Sequence, residues 1–253
     1  MEPRNRAVLV TGTSSGIGAA LAEVLLQNGW AVFGLARRSV TFDSPYYRHF
    51  KFDLADTGAL GSFADEQLGP VFSDPRWQSV GLVNNAAVLG SLRGLHEASP
   101  HALAEVMAVN AVAPIFFMGF VARLVLPRVA LRIANVSSGA ATQGIPGLAD
   151  YCASKAALRL AGMALAAEFE TGRKTGGVRR DAAVLSYEPG IVDTNMQDVA
   201  RATRPEEFPS HQVFQDFAQN GNLLRPAMVV GGIVDFLAGT GGEVFVEQRY
   251  GVA

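Results

Sequence analysis

Cysteine is almost missing from this chain: Cys152 stands alone among 253 residues. No intramolecular disulfide can form, and an oxidising compartment is not implied. Histidine is scarce as well. His49, His96, His101 and His211 are scattered. His96 and His101 are five apart with Pro100 between them, which breaks the spacing that sets two imidazoles on one helix face, so no metal site is expected. Charge of one sign is not in excess. The 21 Lys and Arg nearly balance the 23 Asp and Glu, for a net charge of -2, so neither nucleic acid nor an anionic membrane is an expected partner. The polar start Met1 to Arg6 and the short apolar run Ala7 to Val10 do not make a signal segment or a membrane span, and a cytoplasmic location is expected. What the chain does have is core material. A hydrophobic fraction of 49% against 17% charged excludes global disorder and suits one large domain.

Short apolar runs alternate with helical patterns. Strands are predicted at Ala7–Val10, Trp30–Ala36, His49–Phe52, Val80–Val83, Leu131–Val136, Ala182–Ser186 and Glu243–Val246. Ile17, Ala20, Leu21, Val24 and Leu25 recur at helical spacing, and further helices are predicted near 57–69, 99–126, 150–171 and 226–238. This alternation implies βαβ units: a single doubly wound, Rossmann-like α/β domain over 1–253, with a seven-stranded, mostly parallel sheet covered on both faces. No repeat or low-complexity linker divides it. Residues 194–225 break the alternation with a polar, Phe-containing stretch and prolines at 205 and 209. An insertion after a late strand lies at the carboxyl end of the sheet, so it is expected to be a substrate lid.

After the first strand comes Thr11–Gly18, TGTSSGIG. Gly12, Gly16 and Gly18 permit a tight turn, Ser14, Ser15 and Ile17 complete it, and the following helix aims its N-terminus at the turn. Free N–H groups and the helix dipole there favour a pyrophosphate. The same residues match the GxSxG nucleophile elbow of hydrolases, but that reading needs a histidine after a late strand, and His211 lies in the lid. The second strand ends in Arg37-Arg38 where an NAD enzyme would place an acid. Guanidinium groups pair with a 2′-phosphate, so NADP(H) is the expected cofactor.

Tyr151 and Lys155, four apart on a helix, share one face. A tyrosine titrates near 10, and an adjacent ammonium is expected to lower that value, suiting the pair to proton exchange with an alcohol or carbonyl oxygen. Ser138, thirteen residues upstream at a strand end, can bind the same oxygen.

The TGTSSGIG turn, Asp53-Leu54, Asn84-Asn85-Ala86-Ala87, Asn110, Ser138, Tyr151–Lys155 and Pro189-Gly190, in this order and spacing, resemble the short-chain dehydrogenase/reductase family over about residues 7–247. The resemblance implies roles. Tyr151 would be the general acid in reduction. Lys155 would hold the nicotinamide ribose and depress the tyrosine. Ser138 would polarise the carbonyl, and Asn110 would complete a water-mediated proton relay. Asp53 and Leu54 would meet the adenine, and Asn84 and Ala86 would line the groove. Pro189, Gly190, Ile191 and Thr194 would position the nicotinamide. Two positions depart from the family pattern: Ala87 replaces a usual glycine, and Ser15 replaces a basic residue common in NADP-preferring members.

The segment Leu185–Gln197 with the lid resembles the sepiapterin reductase and benzil reductase branch, which reduces vicinal dicarbonyls on aromatic or pterin frameworks. Leu89, Ile145, Pro146, Tyr187, Met196, Phe208, Phe214 and Phe217 are expected to form an apolar pocket for a flat ring. Glu188 and Glu247 are the acids considered as anchors for a pterin. The expected activity is NADPH-dependent reduction of a small-molecule ketone. The alternatives are an alcohol or hydroxysteroid dehydrogenase and a non-catalytic NADP-sensing protein. The apolar helix from Tyr151 to Glu168 needs cover on both faces, so a homodimer or homotetramer is expected.

Overall fold

The computed structural model describes residues 4–175 and 181–252. Seven strands form one sheet in the order β3-β2-β1-β4-β5-β6-β7, with every pairing parallel. They are β1 Arg6–Thr11, β2 Ala31–Ala36, β3 Tyr47–Lys51, β4 Ser79–Asn84, β5 Ala130–Val136, β6 Ala182–Glu188 and β7 Phe245–Arg249. The central strands are largely apolar because both faces are buried, with Arg132 and Asn135 of β5 as buried polar exceptions. Successive residues alternate between two cores. Ala7, Leu9, Leu131 and Ile133 belong to one face, and Val8, Val10, Ala134 and Val136 to the other.

The helices are α1 Gly16–Gln27, the short α2 Leu60–Phe63 and α3 Gly69–Phe72, α4 Pro100–Met107, α5 Ala113–Leu124, α6 Ala149–Thr175, α7 Asn195–Ala202, α8 His211–Gln219 and α9 Gly231–Ala238. One π-helical turn, Ala64–Leu68, joins α2 to α3, and another, Ala108–Val112, joins α4 to α5. The continuous helical run Pro100–Leu124 is long and apolar enough to cross a bilayer. Here Phe117, Met118, Phe120 and Val121 bury its apolar side in the core beneath the sheet.

Two strands start two residues away from their predicted positions. The third strand starts at Tyr47 rather than His49. The seventh starts at Phe245 and runs through Glu247, Gln248 and Arg249. Both are edge strands, whose half-exposed polar residues carry no apolar pattern. Gly241 and Gly242, at φ +68° and +84°, hold the turn that delays the last strand. They use the left-handed region that a side chain disfavours.

The strand order reverses between β1 and β4, so the crevice at their carboxyl ends is where this architecture binds ligands. Residues 194–225 fold over that crevice as α7 and α8. Phe208 and Phe214 pack with ring centroids 5.3 Å apart, and Ser210 Oγ donates to Pro146 O at 2.7 Å. The base of the insertion is pinned where Leu224 N donates to Ile191 O and Asp193 N to Leu224 O, both at 2.8 Å.

Candidate active site

The glycine-rich turn is built by close approach. Gly12 has φ +77°, and a Cβ on Gly18 would lie 2.3 Å from Gly12 O, so only glycine lets α1 start this near β1. Ser15 caps α1 with no side-chain bond to the first turn, which also contains no acid. Its leading N–H groups are therefore left to an anion from outside. Thr11 and Asn85 hold the turn from behind. Thr11 Oγ1 accepts from Asn85 N and Ala86 N, each at 3.0 Å, and Asn85 Nδ2 donates to Thr11 O at 2.8 Å.

A cavity of about 870 Å³ runs along this crevice. Gly12, Ser14, Ser15, Gly16 and Ile17 line one stretch, with Arg37, Arg38, Asp53 and Leu54 beside them. Ala86, Ser138, Tyr151, Lys155, Pro189, Gly190, Ile191 and Thr194 line the rest. Gly18 lies behind the turn as a packing residue.

Asn84 does not line the groove as expected. It is 3% exposed, and its Nδ2 donates to Asn135 Oδ1 at 2.9 Å and Pro114 O at 3.3 Å. The side chain alternates inward at the end of β4, and Asn85, one residue on, faces the turn instead. Ala87 lies on the cavity wall. Among the described non-glycine residues only Leu92 has positive φ, so the backbone at Ala87 needs no glycine.

Arg37 Nη1 lies 3.8 Å from Asp53 Oδ2, both side chains largely exposed. Arg38 is tied into the site: its Nη2 donates to Ser14 Oγ and Ser15 Oγ, each at 3.2 Å. Ser14 thus meets a guanidinium, and among the described residues no histidine lines its cavity. The hydrolase elbow has no base here.

Farther along, Ser138, two residues past the end of β5, caps a short turn, its Oγ accepting from Ala140 N at 3.2 Å. That bond orients the hydroxyl, which hydrogen-bonds Tyr151. Tyr151 is 7% exposed. Burial pushes its phenol up to about 12, against the opposing pull of the Ser138 hydrogen bond. Lys155 Nζ donates to Val136 O at 2.8 Å and stands 5.7 Å from the Tyr151 ring centroid. Burial lowers Lys155 to about 8. The expected depression of the tyrosine by the lysine is therefore corrected: burial is the largest influence on each group, raising the tyrosine and lowering the lysine.

Asn110 sits in the π turn between α4 and α5, a single-turn distortion of the kind common at functional sites. Its Oδ1 accepts from Val88 N and its Nδ2 donates to Val88 O, both at 2.8 Å, and Nδ2 also donates to Ser154 Oγ at 3.1 Å. Ser154 Oγ in turn donates to Tyr151 O at 2.8 Å. With its side chain so engaged and 1% exposed, Asn110 braces the catalytic helix rather than offering that side chain to a relay. Ser154 escaped the sequence reading, although its position three residues after Tyr151 marks the same helix face.

A model of the short chain dehydrogenase family matches residues 6–205. The chain is a short-chain dehydrogenase. Among its relatives is benzil reductase ((S)-benzoin forming) of Bacillus cereus, 28% identical over 241 residues that span 92% of this chain and 94% of the relative. Sepiapterin reductase of Bos taurus is 30% identical over 238 residues, 85% of this chain and 83% of the relative. The solved structure of a Saccharomyces cerevisiae short-chain dehydrogenase/reductase superposes with a TM-score of 0.77 at 23% identity, covering 96% of this chain and 95% of that one.

The substrate end of this dehydrogenase's cavity is lined by Leu89, Ile145, Met196, Phe214 and Phe217. Three residues expected there are elsewhere. Tyr187 is buried on the opposite side of the sheet, its hydroxyl donating to Val229 O at 2.7 Å. Phe208 is fully buried beneath the lid, and Pro146 only receives the Ser210 hydroxyl. Glu188 lines the cavity. Glu247 does not; Arg159 engages it through Nε at 2.6 Å and Nη2 at 2.8 Å.

Proposed function

We propose that this short-chain dehydrogenase is an NADPH-dependent carbonyl reductase acting on activated ketones, with vicinal diketones and pterin-like dicarbonyls as its substrate class. One observation carries the reading: the Ser138 and Tyr151 hydroxyls meet in a cavity that also carries the apolar and aromatic side chains of Leu89, Ile145, Met196, Phe214 and Phe217. The name of the Bacillus cereus relative, a benzil reductase, agrees with it.

The residues present fit the dinucleotide. The uncapped N-terminus of α1 suits a pyrophosphate. Arg37 and Arg38 suit a 2′-phosphate. The Arg37–Asp53 pair is too exposed to contribute more than about 1 kcal/mol, so Arg37 is free to turn to a phosphate. When bound, the reduced nicotinamide supplies the hydride. Ser138 donates a hydrogen bond to the substrate carbonyl oxygen and fixes it beside Tyr151. A phenol with its pKa near 12 keeps its proton at neutral pH, so Tyr151 is poised to deliver it to that oxygen as negative charge develops there. Lys155, anchored on Val136 O, places its ammonium beside the tyrosine and offsets that charge. A neighbouring second carbonyl withdraws electrons and makes the reacting carbon a better hydride acceptor. A neutral Tyr151 favours this direction over the oxidation of an alcohol.

Assembly and location complete the proposal. Leu160 and Met163 on α6, with Val112 and Ile115 at the start of α5, are exposed to 60%, 38%, 46% and 38%. We assign this face to a second copy in a homodimer or homotetramer. We place the protein in the cytoplasm, where Cys152 stays a free thiol, without nucleic-acid or membrane partners.

The test is a panel read at the NADPH absorbance, with NADH in parallel. An aromatic 1,2-diketone is expected to exceed a simple aliphatic monoketone in kcat/KM. Tyr151→Phe, which removes only the hydroxyl, is expected to keep NADPH binding and lose about 10²–10⁴-fold in turnover. Faster reduction of the aliphatic monoketone would defeat the substrate class, and near-normal turnover by Tyr151→Phe would defeat the mechanism.

A further inference from the structure

Glu188 ends β6 directly before Pro189-Gly190. Its place follows from sheet register. Val136 of β5 pairs with Tyr187 of β6, and Ser137 N donates to Tyr187 O at 2.6 Å. The next residues, Ser137 and Glu188, therefore leave the two strands side by side, with Ser138 one residue further on. Tyr250 N donates to Glu188 O at 2.9 Å and fixes the strand end. The carboxylate lies over the residue after Ser138, with Oε1 3.2 Å from where a Cβ on Gly139 would stand. Arg249, opposite Glu188 in the β6–β7 register, brings Nε to 3.5 Å of Oε1 and lines the same cavity. Among the described residues this loose pairing is the carboxylate's one ionic contact, and no protein hydrogen bond reaches it. The cavity thus holds a carboxylate with spare acceptor capacity near the carbonyl-binding serine; Gln197 Oε1, on the same cavity, is a neutral acceptor without a partner among the described residues.

We propose that Glu188 selects the substrate: it accepts a hydrogen bond from an N–H or O–H carried on the ring of the dicarbonyl. The preferred dicarbonyls are then flat rings that carry such a donor, rather than diketones with none. An ionised carboxylate strengthens a bond from a donor. Against a substrate without one, it is covered by apolar surface and loses water with nothing in return. Sites that expect a hydrogen bond discriminate strongly against the analogue that lacks it. Arg249, largely exposed, approaches only Oε1 and at 3.5 Å, which leaves the carboxylate open to a donor. The inference rests on the carbonyl-reductase reading and narrows its substrate class.

Isatin and N-methylisatin make a matched test, since both are flat vicinal dicarbonyls and only the first has a ring N–H. The wild-type enzyme is expected to favour isatin by roughly ten-fold in kcat/KM. Glu188→Leu, which removes the acceptor, is expected to bring the ratio to about one. Glu188→Gln keeps a neutral acceptor and is expected to fall between. NADPH binding, read by fluorescence in each variant, reports that the fold persists, and either variant alone suffices if the other does not fold. Equal use of the two compounds by the wild type overturns the proposal. So does a preference that survives in Glu188→Leu, because the N-methyl group would then act by size alone. Benzil, measured with the wild type alongside, separates the two levels. Failure to reduce any of the three compounds removes the carbonyl-reductase reading, whereas reduction of all three without an isatin preference removes only the role of Glu188.

Discussion

Replacing Lys155 with methionine separates what the ammonium does for the chemistry from what it costs the fold. Lys155 is 3% exposed, and burial lowers its pKa from 10.5 to about 8. At about 1.4 kcal/mol for each factor of ten in proton affinity, a charged Lys155 destabilises the folded state by about 3 kcal/mol relative to its neutral form. Below pH about 8 the side chain is charged whether the chain is folded or not, and the fold bears that whole cost. Between about 8 and 10.5 the unfolded chain binds a proton that the folded chain does not. Stability from this group therefore rises with pH across that window. Methionine has neither the charge nor the donor. It leaves Val136 O, now 2.8 Å from Nζ, without its partner, at about 1–3 kcal/mol independent of pH. That constant cancels when the variant is compared with wild type at two pH values. The stability advantage of Lys155→Met over wild type is thus expected to shrink by about 2–3 kcal/mol from pH 7 to pH 10. Urea unfolding of both proteins at the two pH values, followed by tryptophan fluorescence, measures it, and NADPH turnover should be lost at both. A difference that does not move with pH, or that grows, would refute the argument by showing that buried Lys155 keeps an ordinary proton affinity.

Arg37→Ala and Arg38→Ala are each expected to weaken NADPH by about 10–100-fold while changing NADH much less, since a charge-assisted bond contributes about 1.5–3 kcal/mol. Equal losses for both cofactors, by direct titration, would make these arginines ordinary surface charges. Leu160→Asp is expected to convert the assembly to monomers, read by light scattering at micromolar concentration, because it sets a charge on the apolar face of α6. A wild-type protein that is already monomeric would remove the assembly proposal.

Much of this was legible in the amino-acid order because local chemistry dictated it. A short apolar run such as Ala7–Val10, set just before a glycine-rich turn, reads as a strand buried on both faces. The glycines at 12, 16 and 18 mark a turn that no side chain would permit, and helical spacing alone set Tyr151 beside Lys155. Where polar side chains point was not legible, because that depends on neighbours distant in sequence. Asn84 and Asn85 look alike in the chain, yet strand alternation turns the first into the core and the second onto the glycine turn. Tyr187 and Phe208 read as pocket aromatics until the sheet face and the lid packing assigned them elsewhere. Glu188 and Glu247 were equivalent acids in the sequence. Arg159, 88 residues away, claims Glu247, while the β5–β6 register brings Glu188 to the strand end that leads into Ser138. The balance between Tyr151 and Lys155 also belongs to the tertiary structure. Spacing brings the lysine near, but the depth of burial decides that the phenol keeps its proton and the ammonium holds its own less tightly.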